Sequence, residues 1–471
     1  MTFVTYKKFG NKEYAYELTS YWDKKAKQPR HKTKYLGVVI DKEKGIYRKT
    51  MKEGILKEEL ILDFGDTFLL REFLHRERFI KVLKDSFGKN SNMLFNLIAY
   101  KLCHPSAMRL ARIWQNGNAI KYLCKADLTS QRISDLMVEI GQEENLRMFF
   151  ENYLSFIHHS SDGLLLDITA MPNQIHMPFS QWGYHDEDID KQINLMLVID
   201  KASSMPLFFR YIPGSIPDVS CLKPTIDEMK KYGIKDTYSI FDAGFYSESN
   251  IKAVQKMEMP FMVRLPANRK LYKKLVKDTK DLEDIKYAIQ YGKRALFVKK
   301  QEIDLFGKPT FAYIVLDPVR KGRETTKLIL QLDEIDKSTD EKAFMLKKKG
   351  LMILLSSIDL TGYNAVSFYY SRQIAEQLIK FSKDDLNLLP LRTHKEESMR
   401  GYLLLVFITL STFLFLQKSL EKKITVEEAL LILRNLKAKV YKNEMLISEV
   451  TKKQKELFDR FNIIVPKVLG I

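Results

Sequence analysis

The stretch SFYYSRQIAEQLIKFSK, residues 367–383, contains the most informative pattern of this sequence. If it forms an α-helix with about 100° between successive residues, its apolar side chains lie on one side. The opposite side carries a stripe about 60° wide with four polar residues: Tyr369, Arg372, Glu376 and Lys383. The pattern predicts a helix that buries one face and directs a carboxylate, two cations and a phenol into a cleft.

This polar stripe suits the chemistry of phosphodiesters. A carboxylate can hold a metal ion, arginine and lysine can bind phosphate oxygens, and the phenol adds a hydrogen-bond donor. A solvated helix face with i,i+4 ion pairs such as Arg372–Glu376 would contain the same residues. The stretch by itself leaves both interpretations open.

Two aspartates lie upstream in segments that we interpret as strands. Asp167 is at the centre of LLLDITA, residues 164–170, where a carboxylate is costly to bury without a partner such as a bound cation. Asp242 is in SIFDAGFYSESN, residues 239–250, at the end of a strand. Its position before Ala-Gly is equally compatible with shaping a turn.

The spacing Y-x2-R-x3-E-x6-K, together with the two aspartate segments, resembles the signature of the DDE transposases of the insertion-sequence-four superfamily. The sequence is most similar to the subgroup whose prototype is a mycoplasma insertion sequence. The matching segments extend from YWDKKAKQPRHKTKYLG near the N-terminus to PLRTHKEESMRGYLLLVFITL. The resemblance implies a ribonuclease H-like core in which Asp167, Asp242 and Glu376 are the catalytic, metal-binding residues.

The resemblance also implies a reaction and its partners. In cut-and-paste transposition, water nicks a transposon end, the 3′-hydroxyl forms a hairpin with the opposite strand, and the reopened end attacks target DNA. Three residues would hold phosphates near the terminal bases: Tyr369, Arg372 and Lys383. Trp182 is a candidate for stacking on a flipped base, with a packed aromatic as its alternative role. The expected partner is double-stranded DNA, both terminal inverted repeats and target, bound by a homodimer in a synaptic complex.

Three converging carboxylates repel one another unless cations neutralise them. Two divalent ions about 3.5–4 Å apart would do so, one activating the attacking hydroxyl and the other stabilising the leaving oxygen. Because all three ligands are oxygen donors, we expect Mg²⁺ or Mn²⁺ rather than zinc.

Two other functions remain open on the sequence. A stand-alone metal-dependent nuclease of the same fold would share the three carboxylates, but it would not need the Tyr-Arg-Glu-Lys stripe. A domesticated, non-catalytic DNA-binding derivative of a transposase would be favoured if one of the carboxylates were missing, and all three are present.

Composition and charge agree with a nucleic-acid partner. The net charge of +18, from 77 Lys and Arg against 59 Asp and Glu, suits a polyanion, although AT-biased genomes also encode basic proteins. The three cysteines, Cys103, Cys124 and Cys221, are isolated, so we expect neither a disulfide framework nor a structural zinc site. With no apolar signal-peptide region at the N-terminus, we predict a cytoplasmic protein of a prokaryote, associated with the nucleoid when bound to DNA.

One apolar stretch, YLLLVFITLSTFLFL at residues 402–416, raises the question of a membrane. A spanning helix needs about 20 apolar residues, and Arg400 and Lys418 bound this one closely. We therefore predict a core helix and no membrane partner.

Taken together, these patterns predict an α/β protein whose ribonuclease H-like core is interrupted by a β-rich insertion. The core should run as three strands, a helix, a strand, a helix and a strand. We place the boundaries as follows: a β-rich module at 1–65, a helical DNA-binding region at 66–160, the first part of the core at 161–266, the insertion domain at 267–350, the second part of the core at 351–420, and a helical region that could serve dimerisation at 421–471.

The N-terminal regions leave open which element contacts DNA. Residues 1–65 contain 15 Lys and Arg against 9 Asp and Glu. Their segment WDKKAKQPRHKTK can be read as a basic hairpin that reaches phosphates or as a solvated loop. The helical pattern of residues 66–160 resembles the DNA-binding region of the family, and a purely structural role gives the same pattern.

Overall fold

A computed structural model describes residues 2–10, 12–23, 27–48, 60–157, 163–173, 175, 177–185, 188–215, 218–234, 238–279, 281–331, 338–421, 423–441 and 443–471. The chain forms two compact units. One comprises residues 1–61, 438–447 and 467–471, and the other comprises residues 62–437 and 448–466.

The N-terminal module is an antiparallel meander, in agreement with the β-rich prediction. Its strands are β1 (Thr2–Phe9), β2 (Lys12–Asp23), β3 (Gln28–Asp41) and β4 (Ile46–Arg48), paired in that order. Gly10 and Gly45 lie in the turns after β1 and β3 with φ of 57° and 63°, a conformation that glycine adopts without steric cost. A fifth short strand, β5 (Leu60–Asp63), follows.

The described part of the region predicted to be helical, residues 66–157, is largely helical. The helices are α1 (Gly65–Arg76), α2 (Phe79–Phe87), α3 (Ser91–Cys103), α4 (Ala111–Asn116), α5 (Ile120–Leu123), α6 (Ser130–Ile140) and α7 (Glu143–Phe156). Helix α6 begins at Ser130, after Thr129 as its N-cap, and ends before Gly141. An added Cβ at Gly141 would lie 1.8 Å from the backbone carbonyl of Glu397, so only glycine permits the close approach of these two segments.

The first part of the core has the predicted order of elements, with one additional strand. The elements are β6 (Leu164–Pro172), β7 (Gln181–His185), β8 (Asp188–Asp200), β9 (Pro206–Pro213), α8 (Asp218–Lys231), β10 (Ser239–Phe241), α9 (Glu248–Lys256) and β11 (Phe261–Arg264). Strands β6, β10 and β11 are parallel neighbours, and β8 pairs with β6 in antiparallel orientation. The apolar run 164–166 is fully buried, as expected for a strand covered on both faces.

Residues 267–350 differ from the predicted insertion domain. They contain α10 (Lys270–Asp278), β12 (Ala288–Tyr291), β13 (Arg294–Leu305), β14 (Lys308–Leu316), α11 (Pro318–Leu330) and α12 (Thr339–Lys347). The strands do not form a separate sheet, because β14 pairs with β15 (Leu351–Ser356), which in turn pairs with β11. The result is one ten-stranded sheet in the order β12-β13-β14-β15-β11-β10-β6-β8, with β7 and β9 both paired to β8. Strand propensity predicted these strands, but their partners are distant in sequence.

The stretch 367–383 is not one continuous helix. It is divided between α13 (Gly362–Tyr370) and α14 (Gln373–Asp384). Ser371 and Arg372 keep helical dihedral angles, but the Arg372 N–H donates to the carbonyl of Tyr369, three residues back, at 3.1 Å. This tighter turn changes the direction of the polar stripe at Arg372.

Helix α15 (Glu396–Ser419) contains the apolar stretch of residues 402–416. Among the described residues it is the one helix long and apolar enough to cross a membrane, and 89% of its most apolar window is buried inside the protein. This burial agrees with the prediction of a core helix.

The C-terminal region corrects the prediction of a purely helical tail. It contains helices α16 (Val426–Arg434) and α17 (Lys452–Arg460), but also strands β16 (Lys437–Val440), β17 (Glu444–Ile447) and β18 (Val468–Gly470). Strand β17 pairs in antiparallel orientation with both β16 and β18. These strands have only three or four residues each, too few for a clear alternating pattern in the sequence.

Candidate active site

The two aspartates are brought together by the pairing of β6 with β10. Leu165 of β6 is the partner of Ile240 of β10 in the parallel register. Asp167 and Asp242 each lie two residues further along, so both side chains emerge on the same side of the sheet from adjacent strands. Strand pairing, which the sequence does not specify, therefore makes them neighbours.

The turn between α13 and α14 adds the remaining groups to the same point. Arg372 Nη1 donates to Asp167 Oδ1 at 3.2 Å, and Arg372 Nη2 lies 3.8 Å from Asp242 Oδ1. The same Nη2 forms a short hydrogen bond with Glu376, one helical turn away. Tyr369 Oη donates to Asp242 Oδ1 at 3.1 Å. We call these five residues the carboxylate cluster.

Exposure within the carboxylate cluster is graded. The side chain of Arg372 is 12% exposed and that of Asp167 is similarly buried, whereas Glu376 is 49% exposed. Asp242 is intermediate between them. The cluster thus forms a recess whose floor is Asp167 and whose rim is Glu376.

Burial and charge shift the ionisation of this site. Burial raises the pKa of Asp167 to about 6; the charge of Arg372 opposes this shift, and the charges of Glu376 and Asp242 add to it. Burial and the charge of Asp242 raise the pKa of Tyr369 to about 12, so this phenol keeps its proton as a donor. For Arg372, burial alone would lower the pKa, but the surrounding carboxylates outweigh it and the pKa is raised.

The structure places the other two predicted residues apart from the cluster. Lys383 Nζ donates to the backbone carbonyl of Ala170 at 2.8 Å, so it fastens α14 to β6. Trp182 is on β7, which β8 separates from β6 in the sheet order. Its ring is exposed, with Lys191 Nζ 5.7 Å from its centroid, which excludes the alternative of a packed core aromatic.

A basic cavity beside the cluster was not anticipated from the sequence. It has a volume of about 460 Å³, and one of its lining residues is Ala243, which follows Asp242 in the chain. Its basic lining residues are Arg264, Arg320, Lys348 and Lys349, and Glu324 is its acidic one. Arg264 follows the apolar residues of β11 directly and hydrogen-bonds with Tyr369. The sequence signal that could have identified this cavity is Arg264, a cation at the carboxyl end of β11, which is parallel to β10.

The donor chemistry of the cluster fits an oxygen-preferring divalent cation, because all three acidic groups are carboxylates. In the described parts of the chain, however, no group of three or more His, Cys, Asp and Glu side chains is arranged to hold a metal ion. The three carboxylates instead face Arg372, which supplies the compensating positive charge. The three carboxylates are therefore suitable ligands for such a divalent cation, and the guanidinium of Arg372 lies among them.

Comparison with known proteins identifies the family. The transposase DDE domain matches residues 158–412, more than half of the chain, and the chain belongs to this family. The three carboxylates lie within that match. The identification as a DDE transposase is thereby confirmed, at the level of the family.

Other comparisons are more distant. No curated protein matches this sequence. Among solved structures, one similar chain is the piggyBac transposase in a cryo-EM synaptic complex with hairpin DNA, with 11% identity and a TM-score of 0.42 over 84% of this chain and 79% of that one.

Proposed function

We propose that this chain is a cut-and-paste DNA transposase of an insertion sequence, and that Asp167, Asp242 and Glu376 form its catalytic centre. The observation that carries the proposal is the approach of all three carboxylates to the guanidinium of Arg372. Gathering like charges costs stability unless a cation compensates them. In a family that cuts and joins DNA, grouped carboxylates are explained by the metal ions that such a reaction needs. The Tyr-Arg-Glu-Lys spacing favours the insertion-sequence-four superfamily.

The catalytic centre would bind two divalent ions, Mg²⁺ or Mn²⁺, through these carboxylates. Such ions activate the attacking hydroxyl and stabilise the leaving oxygen of an in-line displacement. Arg372 would exchange its carboxylate partners for a DNA phosphate, because a guanidinium can pair with either anion through two N–H groups. Tyr369 would keep Asp242 oriented through its hydrogen bond during this exchange.

The basic cavity beside Asp242 offers the DNA strand a path away from the reacting phosphate. Arg264 and Lys349 line it and would contact the backbone rather than the bases. Lys383 would act mainly by positioning β6, the strand that carries Asp167, and Trp182 would stack on a flipped base only if the DNA reaches β7.

The substrates would be double-stranded DNA with terminal inverted repeats and a target duplex, held by a homodimer. Residues 66–160 would contribute helices that bind the transposon ends. The net charge of +18 supports a polyanionic substrate. A prokaryotic, cytoplasmic setting follows from the resemblance to insertion sequences.

The test is a labelled transposon-end oligonucleotide incubated with protein, Mg²⁺ and target DNA, with nicked, hairpin and joined products separated over time. A transposase should yield all three, in that order. Nicked product alone would favour a stand-alone nuclease, and DNA binding with no product would favour a domesticated derivative.

A further inference from the structure

The sheet formed by β1, β2 and β3 has two chemically different faces. Thr5 is the partner of Tyr16, and Tyr16 is the partner of Tyr35. Because side chains alternate along a strand, this register assigns the residues of β1, of β2 and of β3 as far as Tyr35 to one face or the other. Beyond Tyr35 the register of β3 shifts. One face, which we call the aromatic face, collects six aromatic side chains: Phe3, Phe9, Tyr14, Tyr16, Trp22 and Tyr35.

The rings of the aromatic face are close enough to form a continuous surface. The ring centroids of Phe9 and Tyr14 are 5.9 Å apart, those of Tyr14 and Tyr35 are 6.3 Å apart, and those of Tyr16 and Tyr35 are 5.4 Å apart. Lys7 Nζ lies 5.6 Å from the centroid of Tyr16. Phe9 and Trp22 are exposed, so large apolar surface faces solvent at both ends of β2.

Charge is also divided between the faces. Among the described residues of β1 and β2, the register and alternation place neither Asp nor Glu on the aromatic face, which carries Lys7 and Lys12. The acidic residues of β2 are on the opposite face, each in an ion pair: Lys42–Glu13 at 2.9 Å, Lys34–Glu17 at 3.6 Å and Arg30–Asp23 at 3.3 Å. Asp41, the last residue of β3, follows a shift in register, is the partner of Ile46, and forms an ion pair with Lys44 at 3.8 Å. Along β1 and β2, the aromatic face therefore combines ring surfaces with the positive charge of Lys7 and Lys12.

We propose that the aromatic face binds single-stranded DNA, with bases stacked on the rings and phosphates near Lys7 and Lys12. Stacking requires the flat faces of bases, which a closed duplex hides and an unpaired strand exposes. Along β1 and β2, the aromatic face lacks the carboxylates that would repel phosphates on the opposite face. Binding does not depend on cleavage, so the proposal is independent of the catalytic centre.

Neighbouring residues of β2 provide a matched pair of variants. Trp22 is 62% exposed on the aromatic face, and Tyr21 is 49% exposed on the opposite face. Fluorescence anisotropy of the full chain with a labelled mixed-sequence oligonucleotide, in EDTA to prevent cleavage, measures each affinity. We expect Trp22→Ala and Phe9→Ala each to weaken single-strand binding about tenfold, because stacking contributes roughly 1–3 kcal/mol per base. Tyr21→Ala should bind as the unchanged protein does.

Lys7 and Lys8 form a second matched pair on β1, in case an aromatic variant fails to fold. Lys7→Gln should reduce the salt dependence of binding by about 0.7 in log–log slope, and Lys8→Gln should not. Equal losses from both faces, no loss from either, or unchanged single-strand binding with weaker duplex binding would overturn the proposal. A change in sedimenting mass without a change in DNA affinity would also overturn it, and would assign the face to self-association.

Discussion

Arg372 and Arg400 are two buried arginines of the same unit with superficially equal surroundings. Their side chains are 12% and 7% exposed, and each pairs with a glutamate one helical turn away. Arg400 also donates through Nε to the carbonyl of Gly141 at 2.7 Å and through Nη1 to Tyr211 Oη at 3.1 Å. The polar partners found for Arg372 are different: besides its own helix turn, they are the carboxylates of Asp167 and Asp242.

From this difference we expect Arg400 to be a structural arginine and Arg372 to take part in the proposed function. Arg400 joins α15 to the end of α6 and the start of α7 through the carbonyl of Gly141, the hydroxyl of Tyr211 and the exposed carboxylate of Glu143, which is 3.3 Å from Nη1. None of these groups belongs to the carboxylate cluster. Arg372 neutralises acidic groups that a metal ion could neutralise equally well, so it can be exchanged. Burial and an i,i+4 glutamate do not distinguish the two residues, but the identity of the remaining partners does.

The largest expected effect is on cleavage. Asp167→Asn should abolish metal-dependent nicking of a transposon end, because it removes one of three carboxylates that act as a unit. Glu396→Gln, beside Arg400, is the control and should leave nicking intact. End-labelled products resolved on a denaturing gel measure both. Substantial nicking by Asp167→Asn would remove this residue from the catalytic centre.

The next largest expected effect is on the steps that follow the first nick, which are hairpin formation and strand transfer. Arg372→Ala should slow hairpin formation and strand transfer about 10²-fold relative to the first nick, since a misplaced nucleophile loses that order of rate. Lys383→Ala should also act on the later steps, but less strongly, because Lys383 contacts the backbone of β6. The time course of nicked, hairpin and joined DNA gives the ratio. If Arg372→Ala slows every step equally, its role is general phosphate affinity.

Arg372 should matter more for the reaction, whereas Arg400 should matter more for the stability of the fold. Arg400→Ala should lower the free energy of unfolding by about 3 kcal/mol, because buried hydrogen-bond partners remain unsatisfied. Arg372→Ala should cost less, and Mg²⁺ should restore part of the loss by binding the carboxylates. Urea denaturation with and without Mg²⁺ tests this. If Mg²⁺ restored the free energy of unfolding of Arg400→Ala and Arg372→Ala equally, Mg²⁺ would not be replacing Arg372 at the carboxylates.

The smallest effect is on pH dependence without metal. Because burial raises the pKa of Asp167 to about 6 in the folded state, its protonated form stabilises the protein at low pH. This contribution is complete below about pH 4, the unfolded value, and is lost as pH rises through 6. The difference of about two pKa units amounts to about 3 kcal/mol in total. Asp167→Asn should remove this slope. Unfolding curves in EDTA between these pH values are the measurement, and an unchanged slope would assign the titration to another group.

The carboxylates of the cluster could be predicted from the sequence, largely for local reasons. Asp167 interrupts an apolar run, and Glu376 shares a helical stripe with Arg372, so both patterns arise within a few residues. The order of strands and helices in the first part of the core could be predicted in the same way. The strands of residues 267–350 were also recognisable, but as a separate domain.

Tertiary structure alone decided which of these elements meet. Pairing of β6 with β10 places Asp167 beside Asp242, and the tight turn at Arg372 turns its guanidinium toward both. The same long-range pairing joins β14 to β15 and so merges the expected insertion into the core sheet. Such contacts link residues far apart in the chain, and their free energy comes from burial and hydrogen bonding across the whole sheet. The periodicity of a segment shows which face of a helix or strand is apolar, but not which other element of the chain pairs with it or packs against it.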